Sequence, residues 1–362
     1  MRVALSNLVQ YKLITLKESV NSMKNKKLDL EQVMEDWGKD LRMRNEFFNY
    51  VLYDGGYIPN GQEDLLYKVF SPDTYKKFIA PQLGKMKMDP GIVLQNPYIN
   101  LIELTNIKKG DWKIDVFLRE PFQLQLVDAK RDGLKIKPRL GYFDIPVPYY
   151  RLTRNGIPWM SISASEMLTM RDAVAGVSGH VLVAGIGLGY FPFITSLKES
   201  VKKITLVEID ENIIEIFETK ILPQFPRKEK IEIVHADAIQ YFQEHHQQFD
   251  SHFIDIWQGS DFESVKLYMQ FKAVELREGT KNVYHWIEDS LRDFISNQFM
   301  NFIRYRYLKL DNYYSKPYFF KDEDMEKTFE TMGIDSPTSQ KAVRQLIAHP
   351  DQVIDAYILA TV

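Results

Sequence analysis

Between Gly179 and Asp289 the chain repeats one pattern: a short apolar run, then a segment of turn or helical character. The runs are His180–Ala184, Lys203–Ile209, Ile231–His235 and Ser251–Ile256, and a fifth, Asn282–Ile287, follows the helix-like Phe262–Arg277. Strands that alternate with helices pair in parallel, because the crossover needed to return to the same end of a sheet is long enough to hold a helix. The first run ends at Ala184 and opens into Gly185-Ile186-Gly187-Leu188-Gly189. Glycines there permit positive φ and leave bare main chain against which a ligand can lie. A helix starting after the turn offers unpaired N–H groups and a positive dipole end, which suits a carboxylate or phosphate. The plainer reading of the same residues is a tight structural turn. The pattern predicts an α/β fold with a mostly parallel, doubly wound sheet.

The glycine register separates ligand classes. A dinucleotide fingerprint, G-x-G-x-x-G/A, needs a small residue at position 190, where this chain has Tyr190. Acidic residues then close successive strands. Glu208 stands nineteen positions after Gly189, and a carboxylate there can accept hydrogen bonds from both hydroxyls of a ribose. The neighbouring Asp210 reads instead as the N-cap of a helix beginning at Asn212. Asp237 follows the third strand and can bind or cap. Asp255-Ile256-Trp257 ends the fourth, at the carboxyl edge where open parallel sheets gather ligands. Asp255 can orient an acceptor, take its proton or stabilise its charge, and Trp257 can wall the pocket and face a cation. The plainer alternatives are a capping aspartate and a packing tryptophan. Glu288 or Asp289, with Asp255, could hold a hard cation through oxygens, although acidic strand ends commonly cap helices. His235 reads as a strand residue, and His245-His246 as part of a solvated loop.

From Gly179 to Asp289 this order of elements resembles the cofactor-binding core of class I S-adenosylmethionine-dependent methyltransferases, a Rossmann-like fold. The resemblance implies S-adenosyl-L-methionine as cofactor, with its amino-acid end across Gly185, Gly187 and Gly189. It implies Glu208 on the ribose, Asp237 facing the adenine amino group and the Ala238 N–H on a ring nitrogen. Asp255 and Trp257 become the expected catalytic pair, with no metal. The function it implies is methyl transfer to an O or N acceptor. No Asn-Pro-Pro-aromatic motif is present, which argues against amino-methyltransferases acting on adenine, cytosine or glutamine.

A second resemblance lies just upstream. Tyr150–Met170 places an Asn155-Gly156 turn before a helix and then the glycine strand, which is similar to the arrangement in spermidine synthases. Val207–Asp210, VEID, is also typical of that family. It implies aminopropyl transfer from decarboxylated S-adenosylmethionine as the alternative function; a non-catalytic cofactor-binding protein is the other alternative. The chain departs from the family at Trp159, where a cofactor-contacting glutamine is usual, and at Ala164-Ser165-Glu166, which replaces an Asp-Glu pair. Its turn also lacks the acid of G-G-G-D/E-G. Ser163 with Glu166 three residues on makes a capping box, and Glu166 is the one acid in this segment free to reach a cofactor.

The 362-residue chain contains no cysteine, which excludes disulfides, thiolate zinc sites, cysteine-ligated clusters and thiolate nucleophiles. Forty-six basic against 49 acidic residues, net −3, give no footprint of a dedicated nucleic-acid binder. A small-molecule acceptor is the expected partner, and a homo-oligomer is compatible with the sequence. No apolar run is long enough for a membrane span, the N-terminus does not read as a signal peptide, and a cytoplasmic location is the default expectation. Four regions are expected: a helical one at 1–96, with Leu30, Val33, Met34, Trp37 and Leu41 on one helix face; a small antiparallel β region at 97–156, with runs at Tyr98–Leu104, Trp112–Leu118 and Phe122–Val127 separated in part by the basic stretch Lys130–Arg139; the cofactor-binding domain at 157–310; and a mostly helical extension at 311–362.

Overall fold

The structure, a computed structural model, describes residues 30–53, 55–308, 319–334 and 340–362. The expectations for residues 1–29, for Asp54 in its glycine turn, and for 309–318 and 335–339 lie outside the described residues.

Helix α1 (Leu30–Phe48) buries Met34 and Trp37, as its three-and-four spacing predicts. It also buries Arg44, whose guanidinium meets Asp40 at 3.2 Å and Asp293 at 2.8 Å. Short single-turn helices follow, packed around Phe47, Leu66, Phe70 and Ile79. The expected strand at Tyr98–Leu104 is instead α2 (Pro97–Leu101). Pro97 presets helical φ at the first position, and the Asn96 side chain caps the Tyr98 N–H at 3.0 Å. Local capping thus outweighs β-type composition. The buried Tyr98 hydroxyl donates to the Leu188 carbonyl, which ties α2 to the glycine turn.

Strands β1 (Ile107–Lys109), β2 (Trp112–Arg119), β5 (Val147–Arg154) and β6 (Ile157–Ile162) form an antiparallel sheet in the order β1-β2-β5-β6. Asn155 (φ 51°) and Gly156 (φ 78°) supply the two left-handed residues of a tight hairpin turn. Between β2 and β5, strands β3 (Gln125–Asp132) and β4 (Lys135–Gly141) make a separate hairpin. The basic stretch Lys130–Arg139 is therefore a hairpin rather than a separator: on β4, Lys135, Lys137 and Arg139 face outward while Ile136 and Leu140 are buried. The run expected at Phe122–Val127 starts late, because Phe122 sits at φ 61°.

The rest of the described chain alternates as expected: α3 (Ala164–Thr169), α4 (Arg171–Gly176), β7 (Gly179–Ala184), α5 (Tyr190–Ser196), β8 (Val201–Glu208), α6 (Glu211–Ile216), β9 (Ile231–His235), α7 (Ala238–His245), β10 (Ser251–Ile254), α8 (Phe262–Glu278), β11 (Val283–His285) and α9 (Glu288–Leu308). The five strands lie parallel in the order β11-β10-β7-β8-β9. The chain leaves β7 toward β8 on one side and later returns to β10 on the other. The switch point, where an open sheet splits to admit a ligand, is therefore between β7 and β10. Side chains alternate across the sheet: Leu182 and Ala184 enter one core, Val181 and Val183 the other. Helices α10 (Asp322–Met332), α11 (Gln340–Ala348) and α12 (Pro350–Thr361) complete the first of these cores. Arg292 on α9 fastens α12 through Asp351 (2.9 Å) and Asp355 (2.8 Å). Among the described residues no helix is long and apolar enough to cross a membrane.

Candidate functional site

At the switch point all three glycines hold positive φ, and two are also required by their neighbours. Gly185 (φ 88°) passes so close to β10 that a Cβ would stand 2.2 Å from the Asp255 carbonyl oxygen. Gly189 (φ 75°) lies against the Phe217 ring, where a Cβ would stand 2.6 Å away. Gly187 faces only the Met160 side chain of β6, whose Sδ would be 2.4 Å from an added Cβ. Its bare face is thus covered by a flexible thioether rather than by fixed backbone.

Glu208 ends β8, as expected, and its half-buried carboxylate reaches back into the turn. Oε2 accepts the Ile186 N–H at 3.1 Å, and Oε1 accepts those of Ile209 (2.9 Å) and Asp210 (3.0 Å). Three of the carboxylate's roughly four lone-pair sites are thus taken, and the one left open to a further donor is on Oε2. Asp210 caps α6 through the Asn212 and Ile213 N–H groups and also accepts the Trp112 indole at 3.0 Å, which docks the small sheet beside β8. Asp237 is exposed and caps α7, with Oδ1 taking the Ile239 and Gln240 N–H groups, each at 2.9 Å. The N–H of Ala238, the first residue of α7, lies outside that cap.

Asp255 sits immediately after β10, and its N–H bonds the Ala184 carbonyl at 2.9 Å. Its carboxyl is pushed well above the usual range by desolvation and then by the adjacent Glu166 carboxylate. Glu166 completes the expected capping box of α3. Burial raises its pKa to about 7, against the lowering effect of the Ser163 N–H at 3.1 Å and of the Ser161 N–H and hydroxyl, each at 3.2 Å. A half-buried pair of carboxyls thus lies against the glycine turn.

This pair carries a stability signature. The folded state holds protons on Glu166 and Asp255 that the unfolded chain has released, so ionising them opposes folding. The Glu166 contribution is complete below about 4.5 and is lost as pH rises to about 7, and that of Asp255, also raised, is lost in the same direction. The expected result is a wild-type melting temperature that falls across this window relative to an E166Q/D255N double variant. Parallel pH profiles of the two proteins would contradict it.

Three sequence expectations are corrected. Trp257 is a core residue, 5% exposed: its indole N–H bonds the Trp286 carbonyl at 2.9 Å and its ring stacks on His285 at 6.0 Å. It is not a pocket wall. His246 is not solvated; it is buried, with Nδ1 at 2.9 Å from the Phe242 carbonyl. Glu288 does not join a cation site with Asp255. Against the cost of its burial, His285, Lys272, the Tyr268 hydroxyl and Arg292 hold its pKa down to about 2, with Lys272 at 3.1 Å and Tyr268 at 2.7 Å. Among the described residues no cluster of histidines and carboxylates is placed to hold a metal ion.

Two features lack a local sequence signal. One is the meeting of Glu166 with Asp255, which only the packing of α3 beside the end of β10 creates. The other is a cavity of about 470 Å³ beside β11, walled by Phe253, Tyr284 and Trp286 and by α3 and α4. The Trp286 indole is pinned there by the Thr169 hydroxyl at 3.1 Å.

The chain was compared with known proteins. Residues 177–272 match the model of the spermine/spermidine synthase domain. No curated protein matches the chain. Among solved structures, a spermidine synthase in complex with the transition-state analogue AdoDATO is 16% identical, covering 53% of this chain and 73% of its own, with a TM-score of 0.31. The spermidine synthase from Thermotoga maritima is 15% identical over 53% of this chain and 70% of its own, with a TM-score of 0.28. The parallel five-stranded sheet with flanking helices is a Rossmann-like α/β arrangement, and the family match falls on the stretch that holds the glycine turn and strands β7 to β10.

Proposed function

We propose that the chain is an aminopropyltransferase-like enzyme, which binds decarboxylated S-adenosylmethionine and passes its aminopropyl chain to an amine. The observation that carries this reading is the Glu166–Asp255 pair beside the glycine turn. A methionine tail laid across that turn would bring its own carboxylate against two others in a poorly solvated cleft. The decarboxylated tail brings only an ammonium, whose charge favours ionisation of the pair. This reading replaces methyl transfer as the leading function.

When bound, the sulfonium supplies a carbon reactive enough to need alignment more than activation. The chain's own residues supply the rest. Glu208 accepts a ribose hydroxyl at the open site of Oε2, and Asp237 with the Ala238 N–H meets the adenine edge. Met160 swings off Gly187 to open the turn. Asp255 takes the proton released by the amine. In this assignment the parallel-sheet unit expected at 157–310 is catalytic, and the β1-β2-β5-β6 sheet, whose last strand lies past the expected boundary at 156/157, covers its cleft.

One observation keeps methyl transfer to an O or N acceptor as the second reading: Leu188, fully buried, occupies the turn position where spermidine synthases carry an acid. The products separate the two. Aminopropyl transfer leaves methylthioadenosine and methyl transfer leaves S-adenosylhomocysteine. Incubation with each form of the nucleoside and a panel of amines, read by mass spectrometry, is expected to yield methylthioadenosine from the decarboxylated form alone. Accumulation of S-adenosylhomocysteine would reverse the ranking. Binding of either nucleoside without any product would leave a non-catalytic binder.

A further inference from the structure

We propose that the cavity beside β11 is the acceptor site and that it takes a zwitterionic amine, one bearing a carboxylate as well as its amino groups. This rests on the group-transfer reading above and narrows its acceptor.

The cavity, about 470 Å³, has the size of a small-ligand site and is closed on one side by aromatic rings. Neither acid lines it, but a chain neighbour of each does: Ser165 precedes Glu166, and Phe253 lies two residues before Asp255. Most charges around it already neutralise one another. Arg139 grips Asp128 with two bonds, of 3.1 and 2.7 Å. Lys272 holds Glu288 at 3.1 Å, and Lys130 faces Asp172 at 3.8 Å. Among the described residues lining the cavity, this leaves Arg171 and Asp289 without an ionic partner. Asp289 accepts only the Arg131 backbone N–H, at 3.2 Å, and Arg171 stands exposed at the rim.

One cation and one anion left over specify the ligand's charges. A simple diamine would present two cations to a single free carboxylate, with a guanidinium opposing it. A zwitterion offers its ammonium to Asp289 and its carboxylate to Arg171, whose planar fork suits a carboxylate. The turn that leads into α9, just ahead of Asp289, is itself unusual. Ile287 is held at φ 53°, a conformation rare for a β-branched residue and one that persists only where the surroundings impose it.

The test uses matched pairs that differ by one carboxylate: L-ornithine against putrescine, L-lysine against cadaverine, and L-histidine against histamine. Each is titrated calorimetrically into the full chain, alone and with saturating methylthioadenosine. The acid member of at least one pair is expected to bind about tenfold or more tighter than its amine, and Arg171→Gln is expected to erase that difference. The proposal is overturned if the amines bind as tightly, if the Arg171→Gln variant keeps the preference, or if no probe binds while methylthioadenosine does. Should methylthioadenosine fail to bind while the carboxylate preference and its loss are seen, the transfer reading falls and the zwitterion site stands.

Discussion

Asp255→Asn is expected to slow transfer by about 10²–10⁴-fold, the usual contribution of a positioned general base, while making the protein more stable at neutral pH. The two effects have one cause. In the transfer step the amine lone pair forms the new C–N bond as the C–S bond breaks, the C–S electrons stay on sulfur, and the nitrogen must then shed a proton. Desolvation and the Glu166 charge make the Asp255 carboxylate an unusually good proton acceptor. They also make its ionisation costly to the fold. Asparagine cannot take the proton, and it removes the repulsion with Glu166, a gain of about 0.5–2 kcal/mol. Single-turnover rates and thermal melts on the same preparation would check both halves. An Asp255→Asn variant with wild-type rates would remove Asp255 from the chemistry.

Glu166 enters through Asp255. Its neutral form leaves the aspartate easier to ionise, and its charge makes ionisation harder. Glu166→Gln is therefore expected to move the acidic limb of the rate profile to lower pH, with a smaller change in maximal rate than Asp255→Asn produces. A merely structural Glu166, needed only to cap α3, would leave the limb in place and shift the melting temperature alone.

The halves of this site were not equally readable in the chain. The glycine turn, Glu208 and the five strands are local: apolar runs of the right length end in residues whose chemistry is plain, and Glu208 closes β8 where the pattern puts it. Asp210 and Asp237 declare themselves as caps by the same logic. The acid pair is not local, because no spacing in the sequence connects Glu166 to Asp255. Trp257 illustrates the converse. A tryptophan two residues after a strand-end aspartate suggests a pocket wall, but its indole N–H finds the Trp286 carbonyl and its ring is drawn into the core. The β3–β4 hairpin shows that composition can hide period. Lys135, Lys137 and Arg139 read as a charged loop, yet the residues between them alternate inward with the period of a strand.

The other large effect concerns nucleoside binding. Glu208→Ala is expected to weaken methylthioadenosine binding by about 1.5–3 kcal/mol for each charge-assisted hydrogen bond lost to the ribose. For the one open site on Oε2 the loss is on the order of 10–10²-fold in affinity. The carboxylate already accepts the N–H groups of Ile186, Ile209 and Asp210, so alanine also frees the turn that carries Gly187. Glu208→Gln separates these contributions. Its amide oxygen can keep part of the backbone set, whereas its uncharged head cannot replace the charge-assisted contact with the ribose. The expected order of affinity is therefore wild type, then Glu208→Gln, then Glu208→Ala, with the melting temperature falling mainly in the last. Deoxyribose analogues of methylthioadenosine should lose affinity against wild type but little further against Glu208→Ala, because the partner of the missing hydroxyl is already gone. Equal penalties in both proteins would mean that the ribose is held elsewhere and that Glu208 serves only to close the turn.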